Sequence, residues 1–236
     1  NKKVLVIQGG TSGEREVSLD SGRACIKALK KLGYKVSTFD PKKKPLNLID
    51  RNNTDFIFNA LHGKDGEDGI AQSYFEYLRI PYTHSGVISS YNAMNKIISK
   101  EIFKKNNIIT PKYFVFKKDN YNEIKLKKYI KFKKVKYPIV VKPTNEGSSI
   151  GVRICKNILE LHKKTKLLFK KHVELIFEPY IGGQEIQVAV INGTPLGAIE
   201  LRPQRQFYDY KAKYSKAAKT KHIMPAILSK NKYKEV

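Results

Sequence analysis

Ile139-Val140-Val141-Lys142-Pro143-Thr144-Asn145-Glu146-Gly147-Ser148-Ser149-Ile150-Gly151 is the stretch on which the reading of this chain turns. The apolar run Ile139-Val140-Val141 has the make-up of a buried strand, and it delivers a lysine at its end. Small residues follow, and a loop of small residues lets backbone N–H groups and hydroxyls approach an anion that bulkier side chains would keep away. Lys142, Ser148 and Ser149 are therefore candidates to hold a nucleotide phosphate. The Walker loop, Gly-x-x-x-x-Gly-Lys-Ser/Thr, places its lysine after the glycines, and here the lysine comes first, which points away from P-loop enzymes. Taken alone, the stretch also reads as a strand followed by a Gly-Ser hairpin.

Around it the pattern is an α+β unit: strand Tyr113–Phe116, a lysine-rich helix, strand Ile139–Lys142, strand Val152–Cys155, helix Ile158–Lys171 and strand Leu175–Glu178. Upstream, Met94 to Lys105 is predicted as one helix with Ile97, Ile98, Ile102 and Phe103 inward, broken by Thr110-Pro111. Nearer the start, Val4–Ile7 is a buried strand and Gly9–Gly13 a tight turn. The helix after it carries Val17, Ser21, Ala24, Cys25, Ala28, Leu29 and Leu32 on one face and ends at Gly33. Lys35–Asp40 and Phe56–Leu61 complete a parallel α/β lobe. The glycine turn lacks Gly-x-Gly-x-x-Gly spacing, which argues against a dinucleotide site. Downstream, Glu185–Ile191 and Leu196–Leu201 pair across the favoured turn Asn192-Gly193. Phe207 to Thr220 has little apolar periodicity and is expected to be a mobile loop, and the chain stops in the first turns of a helix after Met224-Pro225-Ala226. Both ends read as cut. The expected division is 1–93, 94–181 and 182–236, the last lobe incomplete.

With 236 residues, 41% of them hydrophobic, the chain is long enough for two compact lobes with their own cores. No apolar run approaches a membrane span, and the first residues read as a strand rather than a signal peptide, so a cytoplasmic location is expected. Cys25 and Cys155 lack a metal or redox spacing and are read as reduced core residues. A formal charge of +25 would ordinarily suggest a polyanion partner. The excess is nearly all lysine, with seven arginines in the chain, and asparagine and isoleucine are also plentiful, as a drift toward A/T-rich codons would produce. The densest run, Lys125 to Lys136, surrounds a helix-like pattern of Ile124, Leu126, Tyr129 and Ile130 and is read as a solvated face. No nucleic-acid module accompanies the charge, so no nucleic-acid partner is expected.

Three further clusters carry candidate chemistry. Glu14-Arg15-Glu16-Val17-Ser18 sits at a strand-to-helix turn, where a carboxylate either satisfies free helix N–H groups or projects into a cleft to receive an ammonium. Leu61-His62-Gly63-Lys64-Asp65-Gly66-Glu67-Asp68-Gly69 is a polar loop at a strand end, the place where α/β proteins bind ligands, and His62 gains weight from that address. Glu178 and Glu185 flank Pro179-Tyr180-Ile181-Gly182-Gly183, which resembles an interlobe hinge; the two acids could hold a ribose or simply be exposed.

Taken in order, these segments resemble the D-alanine–D-alanine ligase family of the ATP-grasp superfamily. The resemblance rests on Gly9-Gly10-Thr11-Ser12 with Glu14-Arg15-Glu16-Val17-Ser18, Ala60-Leu61-His62-Gly63 with Gly66-Glu67-Asp68-Gly69, and Pro81-Tyr82-Thr83 with Ser85-Gly86. It continues through Met94-Asn95-Lys96, Val141-Lys142-Pro143 with Glu146 to Gly151, and Phe207-Tyr208-Asp209-Tyr210-Lys211-Ala212-Lys213-Tyr214. It covers nearly the whole chain. The implied fold is a parallel α/β lobe preceding an ATP-grasp fold, with ATP between two antiparallel sheets.

The resemblance also implies roles. Lys96, Lys142 and Lys213 would offset phosphate charge while Ser148 and Ser149 close over the γ-phosphate. Glu178, Tyr180 and Ile181 would hold the adenine, Glu185 would accept the ribose hydroxyls, and Tyr208 would join the nucleotide site. Glu14 would take the ammonium of the first D-alanine beside His62, and Glu14, Ser148 and Tyr214 would form a hydrogen-bonded catalytic triad. The expected reaction is phosphorylation of the first D-alanine to an acyl phosphate, then attack by the amine of the second, supplying peptidoglycan precursor. A tyrosine at 214 goes with an amine nucleophile, whereas a histidine there is associated with relatives that make D-alanyl-D-lactate. The family's Arg-x-Asp and Glu-x-Asn motifs, the latter holding two magnesium ions, are expected beyond Val236, so this stretch by itself is expected to be inactive and no metal ligand is assigned within it. A homodimer is compatible with the resemblance. Another ATP-grasp carboxylate-amine ligase, or a non-enzymatic nucleotide- or nucleic-acid-binding protein, remains as an alternative.

Overall fold

The computed structural model describes residues 2–204, 213–214 and 219–236. The chain forms two compact units, one of Asn1–Gly147 with Gly151–Pro179 and one of Ser148–Ile150 with Tyr180–Val236.

The first unit holds two sheets with separate cores. In the first sheet β1 (Lys3–Ile7) is central, flanked in parallel by β2 (Lys35–Phe39) and β3 (Phe56–Asn59). Val4 to Ile7 are all buried, as expected of a central parallel strand with both faces covered. The chain leaves β1 toward β2 on one side and returns to β3 on the other, which opens a crevice at the carboxyl ends of β1 and β3. Helices α1 (Arg15–Lys31), α2 (Ile70–Tyr77) and α3 (Val87–Met94) complete this region.

The inward face of α1 differs from the predicted one. Ser18 and Gly22 are buried, while Ala24, Ala28 and Leu32 are exposed, Leu32 by 73%. A small polar residue wins the interior position because its hydroxyl has work there: Ser18 Oγ accepts from the Gly9 N–H at 2.8 Å and donates to the Ala60 carbonyl at 2.6 Å. Gly22 is needed because the Gln8 side chain occupies the space a Cβ would take.

The second sheet runs β4 (Phe114–Lys117), β7 (Glu174–Pro179), β5 (Ile139–Pro143), β6 (Arg153–Cys155), all neighbours antiparallel. One face packs on α5 (Glu123–Lys133) and α6 (Ile158–Leu168) through Phe114, Phe116, Ile139, Val141, Leu175, Phe177, Leu126 and Leu161. Phe114 stacks on Phe177 with centroids 5.0 Å apart. Strand alternation sends Val140, Lys142, Ile176 and Glu178 to the other face, where Val140 pairs with Glu178 and Lys142 with Ile176. On α5 the lysine-rich surface is exposed and Leu126 is fully buried; Ile124, part of the helix-like apolar pattern, is 69% exposed. Cys155 is buried, and burial pushes its thiol up to about 11, while Cys25 is half-buried; both are free.

The helix predicted over Met94–Lys105 is two helices, because Asn95 interrupts it. Asn95 caps α4 (Lys96–Lys105) by accepting from the Ile97 and Ile98 N–H groups at 3.0 and 3.2 Å. Ile102 and Phe103, expected inward, are exposed, and the buried residue of α4 is Lys100.

In the second unit β8 (Glu185–Ile191) and β9 (Thr194–Arg202) form the expected hairpin, with β10 (Lys221–Ile223), absent from the sequence reading, on the far side of β9. Helix α7 (Lys230–Glu235) begins at Ser229, whose hydroxyl accepts from the Lys232 N–H. Most of the loop expected over Phe207–Thr220 lies outside the described residues. Among the described residues no helix is long and apolar enough to cross a membrane.

Candidate active site

The crevice at the strand ends is a cavity of about 660 Å³ lined by Ser21, Asn59, His62, Glu67, Lys96 and Gly147 among others. Glu14 is buried in the same unit, with 2% of its surface exposed, and its side chain caps no helix N–H group. The capping alternative thus fails for Glu14, while Glu16 sits exposed in the first turn of α1. Two glycines make room for the Glu14 carboxylate. A Cβ on Gly147 would lie 3.1 Å from Glu14 Oε2, and one on Gly63 2.6 Å, with Gly63 also at φ +68°.

Ser12 ties this corner together, donating from Oγ to the His62 carbonyl at 2.7 Å and accepting from the Glu14 N–H at 3.2 Å. His62 stands with Nδ1 3.5 Å from Glu67 Oε1 and Nε2 3.3 Å from Ser21 Oγ. Its bond to Glu67 raises its pKa above the ordinary histidine value, with partial burial acting the other way. Glu67, which the sequence reading passed over, is thus the partner that holds this ring; its place five residues after His62 in a glycine-rich loop is the signal that could have found it.

The second sheet contributes a cluster of charges. Lys142 Nζ donates to Glu178 Oε1, and Lys100 Nζ lies 2.9 Å from Glu178 Oε2. Burial works to raise the Glu178 pKa, but Lys142 and Lys100 outweigh it and the carboxyl stays below its usual range. Lys96 donates to the carbonyls of Glu146 and Thr144. Burial, and then the neighbouring charge of Lys142, lower its pKa to about 8, while Glu146 and Glu178 oppose the fall. Lys96 and Lys142 are therefore brought together, and the cluster carries more positive than negative charge. Such a site favours an anion.

Glu178 is neither exposed nor open to a ribose; its carboxylate is committed to two lysines. Lys100 was missed because hydrophobic spacing on α4 put Ile102 and Phe103 inward. The signal was its position one helical turn after Lys96, which stacks the two lysines on one face.

In the second unit, Ser148 and Ser149 both have positive φ, 44° and 61°, a conformation that costs non-glycine residues about 1–3 kcal/mol each. Ser148 Oγ and Tyr214 Oη are 2.7 Å apart. Crowding by neighbouring atoms raises the Glu185 pKa, and the charge of Lys213 pulls it back. Tyr180 is half-buried and Ile181 is exposed. Tyr208 lies outside the described residues. Among the described residues no group of three or more His, Cys, Asp and Glu side chains is arranged to hold a metal ion.

A family profile described as "D-ala D-ala ligase C-terminus" matches residues 102–236, more than half of the chain. D-alanine–D-alanine ligase of Pelagibacter ubique is 53% identical over 234 residues, covering 98% of this chain and 74% of that protein. The chain belongs to the D-alanine–D-alanine ligase family. The family's protein from Wolbachia pipientis wMel is 43% identical, again over 98% of this chain and over 71% of the relative. Among solved structures, the ligase of Bacillus anthracis superposes with a TM-score of 0.82 at 35% identity, over 98% of this chain and 74% of that one. Its complex with ATP superposes with a TM-score of 0.77 at 30% identity, over 98% and 73%. The fold is the ATP-grasp fold with a parallel α/β region ahead of it, as expected from the ligase resemblance.

Proposed function

We propose that this protein joins two D-alanines into D-alanyl-D-alanine at the expense of ATP, in the cytoplasm, supplying a peptidoglycan precursor. The observation that carries the proposal is the pairing of Lys96 with Lys142 in a cluster of surplus positive charge at the end of β5. A triphosphate is the anion that such a cluster suits, and the Bacillus anthracis relative has been solved with ATP.

In this reading Lys96, Lys142 and Lys213 neutralise phosphate oxygens, and the Ser148-Ser149 turn supplies close backbone donors. Backbone groups from Glu178 to Ile181 hold the adenine, with Tyr208 alongside, and Glu185 takes the ribose. Glu14 receives the ammonium of the first D-alanine beside His62, which fits a buried acid that Ser12 ties to the same corner as the histidine. The γ-phosphoryl group passes to the carboxylate of that D-alanine. The amine of the second then displaces phosphate through a tetrahedral intermediate, with Glu14, Ser148 and Tyr214 relaying hydrogen bonds. The three lobes of the sequence reading, 1–93, 94–181 and 182–236, and a homodimer belong to the same proposal.

Magnesium is the metal such chemistry uses, and the described residues offer no cluster of three or more His, Cys, Asp and Glu side chains for it. We also propose, as the ligase resemblance implies, that these 236 residues alone bind ATP far better than they turn it over. The test measures the melting temperature with ATP and with D-alanine, alongside phosphate release. ATP should raise the melting temperature of the native chain but not of Lys96→Met or Lys142→Met, and D-alanine should lose its effect in Glu14→Gln. A native chain indifferent to ATP would overturn the ligase reading, and rapid D-alanine-dependent phosphate release would overturn the proposed inactivity.

A further inference from the structure

Lys100 is one of the most enclosed lysines among the described residues: its side chain is 8% exposed, against 20% for that of Lys142. Three residues beyond the end of its own helix fix it. Nζ donates to Thr110 Oγ1 at 2.7 Å and to the Pro111 carbonyl at 3.0 Å, and it lies 5.3 Å from the centre of the Tyr113 ring. A lysine so enclosed is badly placed to reach a nucleotide. What it reaches is one oxygen of Glu178, leaving the other for Lys142.

We propose that Lys100 is a positioning residue for nucleotide phosphate, acting through Glu178 to keep the charge of Lys142 available to the ligand. Two ammonium groups sharing one carboxylate leave one positive charge over. Remove Lys100, and Glu178 and Lys142 become a neutral buried pair that draws the lysine toward the carboxylate and away from an incoming phosphate. Lys100 thus sets how much of the Lys142 charge a phosphate meets, from a place where the phosphate cannot touch it.

This inference rests on the nucleotide reading above, and the experiment separates the two. Calorimetric binding of ADP and of adenosine is measured on the 236-residue protein, with Lys100→Met introduced alone and together with Glu178→Gln. Lys100→Met should weaken ADP binding about tenfold while adenosine, which has no phosphate, changes less than about twofold. In the Glu178→Gln background, where no carboxylate remains to capture Lys142, adding Lys100→Met should alter ADP binding less than about twofold. Equal losses for ADP and adenosine, or a loss of the same size in both backgrounds, would show a purely structural lysine and overturn the proposal. Should Lys100→Met alone not fold, the double variant, in which neither position 100 nor position 178 carries charge, still decides: ADP binding tenfold weaker than in Glu178→Gln overturns it. A native protein that binds neither ADP nor adenosine would remove the nucleotide reading itself, whereas normal native binding with no effect of Lys100→Met would remove only this inference.

Discussion

Lys96 holds its proton loosely because burial strips water from the ammonium and Lys142 repels it, and the resulting pKa of about 8 lies within an accessible range. In the unfolded chain the same group titrates near 10.5. Since the folded value is the lower one, charged Lys96 costs stability below pH 8, and that cost fades as pH climbs from 8 toward 10.5. Phosphate binding runs the other way, because it needs the charge. Raising the pH from 7 to 9 should weaken ADP binding by up to about tenfold, and Lys96→Met should flatten that dependence while raising the melting temperature at pH 7. Calorimetry and thermal melts at both pH values check the two halves. A lysine that ends a strand ahead of small residues announces itself in sequence, and Lys142 and Ser148 were legible as candidates for that reason, whereas Glu14 owed its candidacy to the ligase resemblance. Lys100 was not legible, since a buried cation pairs with residues 10 and 78 positions away, and nothing local marks such a partner.

Elements were easier to read than their faces. Most strands and the helices α1, α4, α5 and α6 came through from hydrophobic runs and capping residues, whereas α2 and α3 went unread, and the inward face of α1 and the orientation of α4 were misjudged. Periodicity counts apolar residues, whereas these two helices turn inward the residues that satisfy buried polar groups. Ser18 is the sharpest case, fully buried and bonded to both the Gly9 N–H and the Ala60 carbonyl, so that it links α1 to the ends of β1 and β3. Ser18→Ala would leave a buried donor and a buried acceptor unpaired, with an expected loss of about 2–4 kcal/mol. Urea denaturation of the variant beside the native protein measures it. Strand β10 escaped notice because three residues are too few to show alternation.

For the whole molecule the largest number in the sequence, a net charge of +25, says little about the site. The lysines of α5 are exposed, and Lys127 merely pairs with Glu123 on its own helix at 2.8 Å. A pair of that kind is worth about 0–1 kcal/mol. Reversing Lys127 and Lys131 to glutamate should leave ADP affinity within about twofold of native, and a larger loss would bring this surface into the binding machinery. The three-lysine cluster on β5 and α4 has a consequence for how such a sequence can change through time. A composition that drifts toward lysine rewrites exposed positions almost without penalty, one at a time. Exchanging Glu178 alone would strand two lysine ammonium groups, and exchanging Lys100 alone would cancel the surplus charge beside Lys142. Substitution there should come in compensated pairs or not at all, so these few lysines are inherited as a block while those around them are free to wander.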